Sequence, residues 1–278
     1  MAFGETEMSK MLFLLGGHDL EMLTIRDILE RHDVAYVDHR LSWDNACVSS
    51  YRKEIEEATK QGLMVCGIEL QEDMPLPSSY RKIDHHNELA QLSTALEQVM
   101  DILHLPMDRH LRLVAANDKA YIPGMEQLGA TKDEVNAIRR ADRKAQGVTD
   151  EDERLAEQAI AQNRECIGDL QVVHALSPHF SPISDRLFPY QRLLIYTDDE
   201  WVYYGKDASR VRKWFVDEER RKDIYYGGGV DGYVGLKRGS CSVKEIDRMV
   251  KQIMKWSAYS YYSVSLFLYS KGNALLSH

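Results

Sequence analysis

A chain of 278 residues, 44% hydrophobic and 28% charged, has an ordinary globular composition and is long enough for one large or two medium domains. Its net charge of −9 argues against long duplex DNA as a partner, because phosphate binding needs a cationic surface; a short nucleotide held through metal ions stays compatible. No apolar run reaches the ~18 residues that span a bilayer, the start Met1 to Lys10 lacks signal-peptide order, and Cys47, Cys66, Cys166 and Cys241 form no Cys-x-x-Cys pair, so a cytoplasmic protein is expected. Met11 to Leu15 reads as a first strand, and Leu20 to Arg31 as a helix with Leu20, Leu23, Ile28 and Leu29 near helical spacing. Val34 to Val37 is a short strand ending at Asp38-His39, for which a role in supporting the ligands from behind or a purely structural one is expected. A charged helix from about Ser49 to Lys60 leads into an apolar strand, Leu63 to Ile68, which ends at Glu69. Gln71 to Ser79, with Pro75 and Pro77, is a loop, and Arg81-Lys82-Ile83 leads into Asp84-His85-His86. This alternation predicts an α/β fold whose parallel sheet is covered by helices, with ligands at the carboxyl ends of its strands.

Further along, Thr131-x-x-Glu134 is a capping-box pattern ahead of Val135 and Ile138, and Gly147 closes that helix. Thr149 opens another, with Asp150, Glu151 and Asp152 placed against the positive end of its dipole, and this helix is expected to run to about Cys166-Ile167-Gly168. Arg192 to Tyr196 and Trp201 to Tyr204 flank Thr197-Asp198-Asp199-Glu200 as a hairpin. A final helix from Val243 to about Trp256 carries Ile246, Met249, Val250 and Ile253 on one face. The Tyr- and Ser-rich tail 257–278 packs as a last strand or mediates assembly, so a homo-oligomer is compatible with it. His174 and His179 read as surface histidines. Lys206, Arg210, Arg212, Lys213, Trp214 and the run Arg220-Arg221-Lys222 are interleaved with Asp217, Glu218, Glu219 and Asp223, which favours a solvated helix face over a nucleotide-stacking surface.

The stretch Ile83 to His86 carries the most chemistry. A carboxylate and two imidazoles at a strand end can converge on one cleft, and together they suit a borderline divalent ion such as Mn or Zn. Asp19 and Glu21 follow the first strand, Glu69 ends another, and Asp118 follows the small-residue run Leu113 to Asn117. All these acids therefore fall at strand or helix ends.

Asp84-His85-His86 resembles the signature of the DHH phosphoesterases, which include RecJ-like exonucleases, cyclic-dinucleotide phosphodiesterases and family II inorganic pyrophosphatases. The resemblance extends over most of the chain. The family's first Asp-x-Asp motif becomes Asp19-x-Glu21, its usual leading histidine falls on Leu15 unless His18 replaces it, and its second acid is Glu69 in place of Asp. Asp118 matches the fourth motif. Tyr225 to Gly235 looks like the Gly-Gly-Gly-His motif of the associated C-terminal domain, with Val230 where histidine usually stands.

The resemblance implies a DHH-like metal-binding catalytic domain over residues 1–148, a connecting helix over 149–170 and a smaller α/β substrate-binding domain over 171–278. It implies two Mn-type ions, with Mg as the other candidate, held by Asp19, Glu21, Glu69, His85 and Asp118. Asp84 and His86 are the catalytic candidates: Asp84 orients an imidazole and His86 contacts the substrate phosphate. Gly227, Gly228 and Gly229 would bind substrate through backbone N–H groups. The implied activity is hydrolysis of a short nucleotide: a dinucleotide, a cyclic dinucleotide or an oligonucleotide end. Pyrophosphatase fits less well, because the first motif lacks the histidine-led spacing. The rival reading is a nucleotide-binding or assembly module without hydrolysis, motivated by the Asp-to-Glu changes and by the residues Leu15 and Val230.

Overall fold

The apolar run Met11–Leu15 forms β1, buried except at Leu12, and Leu20–Arg31 forms α1 as expected. Burial on both faces is what a central parallel strand requires. β2 (Tyr36–Val37) and β3 (Met64–Ile68) pair on either side of β1, and β4 (Tyr80–Ile83) adds beyond β3. The sheet order is β2-β1-β3-β4, parallel throughout, so all four carboxyl ends lie along one edge. This computed structural model describes residues 9–42 and 45–274, without the side chains of Asn87 and residues 259–274. The polar start Met1 to Met8, read above as lacking a signal peptide, and the last residues of the tail, 275–278, lie outside the described residues.

The helix expected from Ser49 begins with a tighter 3₁₀ turn, Val48–Tyr51, before α2 (Arg52–Lys60). Asp73 grips that turn from outside, accepting from the Ser49 N–H at 2.9 Å and its hydroxyl at 2.5 Å. Three further helices complete the first unit: α3 (Ala95–Ile102), α4 (Arg109–Gln127) and α5 (Lys132–Ala145). α4 breaks at Ala120 and Tyr121, and Pro123 opens its second segment, where a missing N–H is harmless. Asp118 therefore sits in the last turn before the break, inside the helix. The Thr131–Glu134 capping box is present, and Gly147 follows α5 at φ +89°.

The chain divides into two compact units, Met1–Gly147 and Val148–His278. In the second, Thr149 caps α6 (Asp150–Asn163) through a box closed by Asp152. This helix stops at Asn163, short of the expected Gly168. Arg164–Ile167 instead forms β5, an edge strand antiparallel to β6 (Leu170–His174), and Gly168 turns between them at φ +64°. Strand pairing thus overrides the helical continuation.

α7 (Ser181–Leu187) leads to the expected hairpin of β7 (Arg192–Tyr196) and β8 (Trp201–Gly205), with the Thr197 N–H on the Glu200 carbonyl at 2.9 Å. The basic segment forms two short helices, α8 (Ala208–Arg212) and α9 (Val216–Arg220), before β9 (Ile224–Gly227) and β10 (Tyr233–Leu236). The mixed sheet runs β5-β6-β7-β8-β10-β9. One face packs Leu193, Ile195 and Val202 against Ala156, Ala159 and Ile183 of the helices before β7. The other packs Trp201, Tyr203 and Leu236 against Ile246, Met249, Val250 and Ile253. Those four belong to α10, which runs Val243–Ala274 and so carries the tail on as helix instead of strand. Among the described residues no helix is long and apolar enough to cross a membrane.

Candidate metal centre

Where β1 ends, the Tyr51 hydroxyl donates to the Leu15 carbonyl at 2.5 Å, and the His39 ring stacks on Tyr51 at 4.3 Å. His39 thus braces the end of β1 through Tyr51, whose hydroxyl also accepts the His39 N–H at 3.1 Å. Gly16 follows, and a Cβ at that position would stand 2.4 Å from the Ile68 carbonyl oxygen and 2.6 Å from that of Glu69. Glycine is needed because the exit of β3 crosses the exit of β1 at backbone contact. Glu69 itself has φ +51°, a left-handed conformation that costs energy for a residue with a side chain, and its N–H is fixed on the Ile83 carbonyl at 2.8 Å.

Four of the expected ligands converge. His85 Nε2 lies 2.7 Å from Asp118 Oδ2, 3.4 Å from Glu69 Oε1 and 3.9 Å from Glu21 Oε2. Ligand atoms of Glu21, Glu69, His85 and Asp118 lie within 4.8 Å of one another, and Glu69, His85 and His86 form an overlapping group. Glu21 Oε1 is anchored by the Leu96 N–H at 3.0 Å, and the Thr94 hydroxyl also supports that carboxylate. Glu21 Oε2, Glu69 Oε1, His85 Nε2 and Asp118 Oδ2 are buried and complete no hydrogen bond of ordinary geometry, His85 Nε2 being held only in ion-pair contact with Asp118 and Glu69. Burying polar atoms without partners is costly. Carboxylate oxygens and an imidazole nitrogen aimed at a common point are the donor set of a borderline divalent ion, so these residues fit one.

The electrostatics agree. Burial, with Asp118 and Glu69 adding, raises the Glu21 carboxyl well above its usual range; burial likewise raises Glu69, with Asp118 adding, though His85 opposes. Burial works against a charged His85, but Asp118 and Glu69 outweigh it and push the imidazole up to about 10. Glu21, Glu69 and the His85 imidazole thus hold protons tightly where a cation would replace them.

Asp19 stands apart from this group. It is the N-cap of α1, accepting the Met22 N–H at 2.9 Å, and burial, with Glu69, Asp118 and Asp142 adding, pushes its carboxyl up to about 8. It borders the cluster without contributing to the four-atom group, and His18 is not in that group either. Asp84 accepts from the His86 N–H at 2.9 Å and lies 3.1 Å from His86 Nδ1, with Lys82 Nζ at 3.3 Å. Burial would raise this carboxyl, but the His86 and Lys82 contacts hold it below the usual range. The imidazole it orients is therefore that of His86, whose side chain is 47% exposed, and not that of the buried His85.

Sequence reasoning missed the support behind the cluster. Arg139 Nη1 donates to Asn117 Oδ1 at 2.9 Å and to Asp142 Oδ2 at 2.6 Å, while Asp142 Oδ1 accepts the Leu20 N–H at 3.3 Å. One buried ion pair on α5 thus holds the neighbour of Asp118 and the residue between Asp19 and Glu21. A charged i,i+3 pair on the same helix face as Ile138 was the signal available. Gln98 Nε2 also donates to the Asp84 carbonyl at 3.0 Å.

Gly227, Gly228 and Gly229 lie at the β9–β10 hairpin of the second unit. Gly228 has φ +71°, and a Cβ on it would meet Gly232 Cα at 2.8 Å; Gly229 has φ +73°. The loop is pinned to the end of β8: the Gly205 N–H donates to the Gly232 carbonyl at 2.7 Å and the Asp207 N–H to Asp231 at 3.0 Å. The tight turn by itself calls for glycine at Gly228 and Gly229. Val230, at the family's histidine position, is 70% exposed.

The first unit is thus a parallel α/β sheet with an acid- and histidine-lined cluster that could hold a metal ion at its carboxyl edge, and the second unit is built on a mixed sheet. No known family model matches this sequence, and neither does any curated protein. Among solved structures, a DHH domain described as a member of the s1p family of ribosomal proteins is similar at TM-score 0.55 and 10% identity, covering 91% of this chain and 88% of that one. The chain thus has the fold of the DHH-domain proteins, as the tripeptide led us to expect. A pGpG-specific phosphodiesterase, PggH from Vibrio, matches at TM-score 0.49 and 11% identity over 89% of this chain and 98% of that one. RecJ of Thermus thermophilus in complex with Mn²⁺ matches at 0.44 and 12% over 93% of this chain, which spans 54% of that protein.

Proposed function

We propose that the first unit is the catalytic domain of a metal-dependent phosphoester hydrolase acting on a short nucleotide: a dinucleotide, a cyclic dinucleotide or an oligonucleotide end. The observation that carries this reading is the convergence of four buried ligand atoms that complete no hydrogen bond of ordinary geometry. Glu21, Glu69, His85 and Asp118 would hold divalent ions, with Glu69 as the bridge and Asp19 joining from the α1 N-cap. When bound, a pair of Mn-type ions supplies Lewis acidity, lowering the pKa of water and offsetting charge on the phosphoryl oxygens. His86, held by Asp84 and exposed at the rim, would contact the substrate phosphate and deliver a proton toward the leaving oxygen. For the second unit we propose a substrate-binding role, with the loop at Gly227, Gly228 and Gly229 offering backbone N–H groups to an anion.

The test is metal titration of dialysed protein, followed by a panel of short nucleotides. Mn should bind more tightly than Ca, which favours all-oxygen cages. Glu69→Gln keeps the side-chain shape but removes the bridging charge, so turnover should fall by ~10²-fold or more. Unchanged hydrolysis in Glu69→Gln overturns the assignment. Wild-type protein that binds a nucleotide with Mn yet cleaves none of the panel is instead the non-hydrolytic binding module.

A further inference from the structure

Backbone strain gathers just past one acid of the cluster. Asp118 lies in the last turn of α4 before the break, where Ala120 has φ −148°, ψ 20° and Tyr121 has φ +57°, ψ −147°. The Tyr121 angles border a region that essentially only glycine occupies, and a residue with a side chain persists there only where its surroundings hold it. Pro123 accounts for the break: it has no N–H for the Lys119 carbonyl, and its ring would strike that carbonyl in a continuous helix. It does not account for a tyrosine at the strained position, because glycine would turn the same corner freely.

Two contacts show what holds the corner. The Arg139 guanidinium lies 4.5 Å from the centroid of the Tyr121 ring, within the reach of a cation–π attraction, and Arg139 is buried, which strengthens it. The same guanidinium donates to Asn117, next to Asp118 in the chain, and to Asp142. Beyond the break the chain doubles back. In a continuous helix Ala116 and Gly124 would stand about 12 Å apart along the axis. Here a Cβ on Gly124 would lie 2.5 Å from the Ala116 carbonyl oxygen and 2.9 Å from the Ala120 Cβ. The turn carrying Asp118 is thus gripped by Tyr121 through Arg139 and by Gly124 directly. It needs that grip. A last helical turn lacks partners for its carbonyls and opens first, and the Glu21 and Glu69 carboxylates repel that of Asp118.

We propose that Tyr121 is a positioning residue of the metal cluster. Its ring, clamped by Arg139, holds the break in its strained form and so keeps Asp118 where the four ligand atoms converge. The proposal rests on the metal-dependent reading above and adds to it a residue outside the ligand set.

Four variants of the full chain separate placement from stability: Tyr121→Phe, Tyr121→Ala, Tyr121→Gly and Gly124→Ala. Each is titrated with Mn after dialysis and unfolded in denaturant without metal. Tyr121→Phe keeps the ring and should retain most of the wild-type Mn affinity. Tyr121→Ala and Tyr121→Gly lose the ring, so affinity should fall roughly 10- to 100-fold in both. Their stabilities should differ, with the glycine variant unfolding at higher denaturant because its backbone is unstrained there. Alanine is the better helix former, yet Gly124→Ala should lose Mn affinity because its methyl group forces the corner open. Should Tyr121→Ala fail to fold, Tyr121→Gly against Tyr121→Phe carries the comparison. The proposal is overturned if Tyr121→Gly or Gly124→Ala binds Mn like wild type, or if Tyr121→Phe loses as much affinity as Tyr121→Gly. A glycine variant no more stable than the alanine one overturns it too. Wild type that binds no Mn removes the metal reading and this proposal with it; Mn bound equally by wild type and Tyr121→Gly removes this proposal alone.

Discussion

Glu69 combines a left-handed backbone, a buried carboxylate and a glycine packed against its carbonyl. A residue accepts that strain when its surroundings fix it, and Gly16 is part of those surroundings. Gly16→Ala places a methyl group 2.4 Å from the Ile68 oxygen, so one of the two strand exits must shift. We expect a loss of about 1–3 kcal/mol in stability, as for other overpacked sites. Because the displaced strand end carries Glu69, Mn affinity should fall in the same protein. Denaturant melts paired with Mn titrations check this; a Gly16→Ala protein that is destabilised yet binds Mn like wild type would show that the strand crossing does not place the ligand. His85 offers a complementary test. With His85→Ala, Glu21, Glu69 and Asp118 lose the imidazole that lies against them, so the metal content retained after dialysis should drop sharply.

The helices behind the cluster set its spacing. α5 contributes no candidate ligand, yet its Arg139–Asp142 pair reaches Asn117 on α4 and the Leu20 N–H on α1. Arg139→Met leaves Asp142 buried without its cation, which should cost about 3–5 kcal/mol. Adding Asp142→Leu removes the orphaned charge and should restore much of that stability. It should not restore Mn affinity, because Asn117 and Leu20 still lack their anchors; recovery of both together would make the pair a stability element only. This support was hard to read from sequence, since nothing in a single chain says that a charged pair on a helix faces inward. The strands were legible because burial on both faces writes unbroken apolar runs, and Glu21, Glu69, His85 and Asp118 were legible because each closes a strand or borders a helix end. Asp19 shows the limit: a carboxylate just before a helix serves equally as N-cap or as ligand, and here it caps α1. The α6 boundary failed for a related reason. Arg164–Ile167 continues a plausible helix until its pairing partner, β6, is known.

Across the whole molecule the cluster couples folding, protons and metal. The Asp19 carboxyl rises from 3.8 to about 8, Glu21 and Glu69 rise as well, and His85 rises from 6.5 to about 10. In every case the folded chain holds the proton more tightly than the unfolded one. Each contribution is therefore fully present below the unfolded value and is lost as pH rises through the folded one. For the carboxylates that loss begins near pH 4 and reaches about 8 at Asp19; for His85 it begins near 6.5 and reaches about 10. The groups lie close enough to titrate together, so one broad decline is expected instead of separate steps. Carboxylates whose values are lowered, such as Glu134 at about 2, change stability only in acid, while Glu200, raised by burial, adds to the same decline as the cluster. Metal-free protein should thus lose melting temperature steadily between about pH 5 and pH 9. A divalent ion needs the same atoms deprotonated, so Mn affinity should rise over that interval and binding should release protons. Saturating Mn stabilises the folded state in proportion to its affinity and should flatten or reverse the decline. Melting curves with and without Mn, together with calorimetry in buffers of different ionisation heat, measure both effects. A metal-free melting temperature that is level or rises across this interval, or Mn binding that releases no protons, would show that the cluster's protons do not stand where the metal goes.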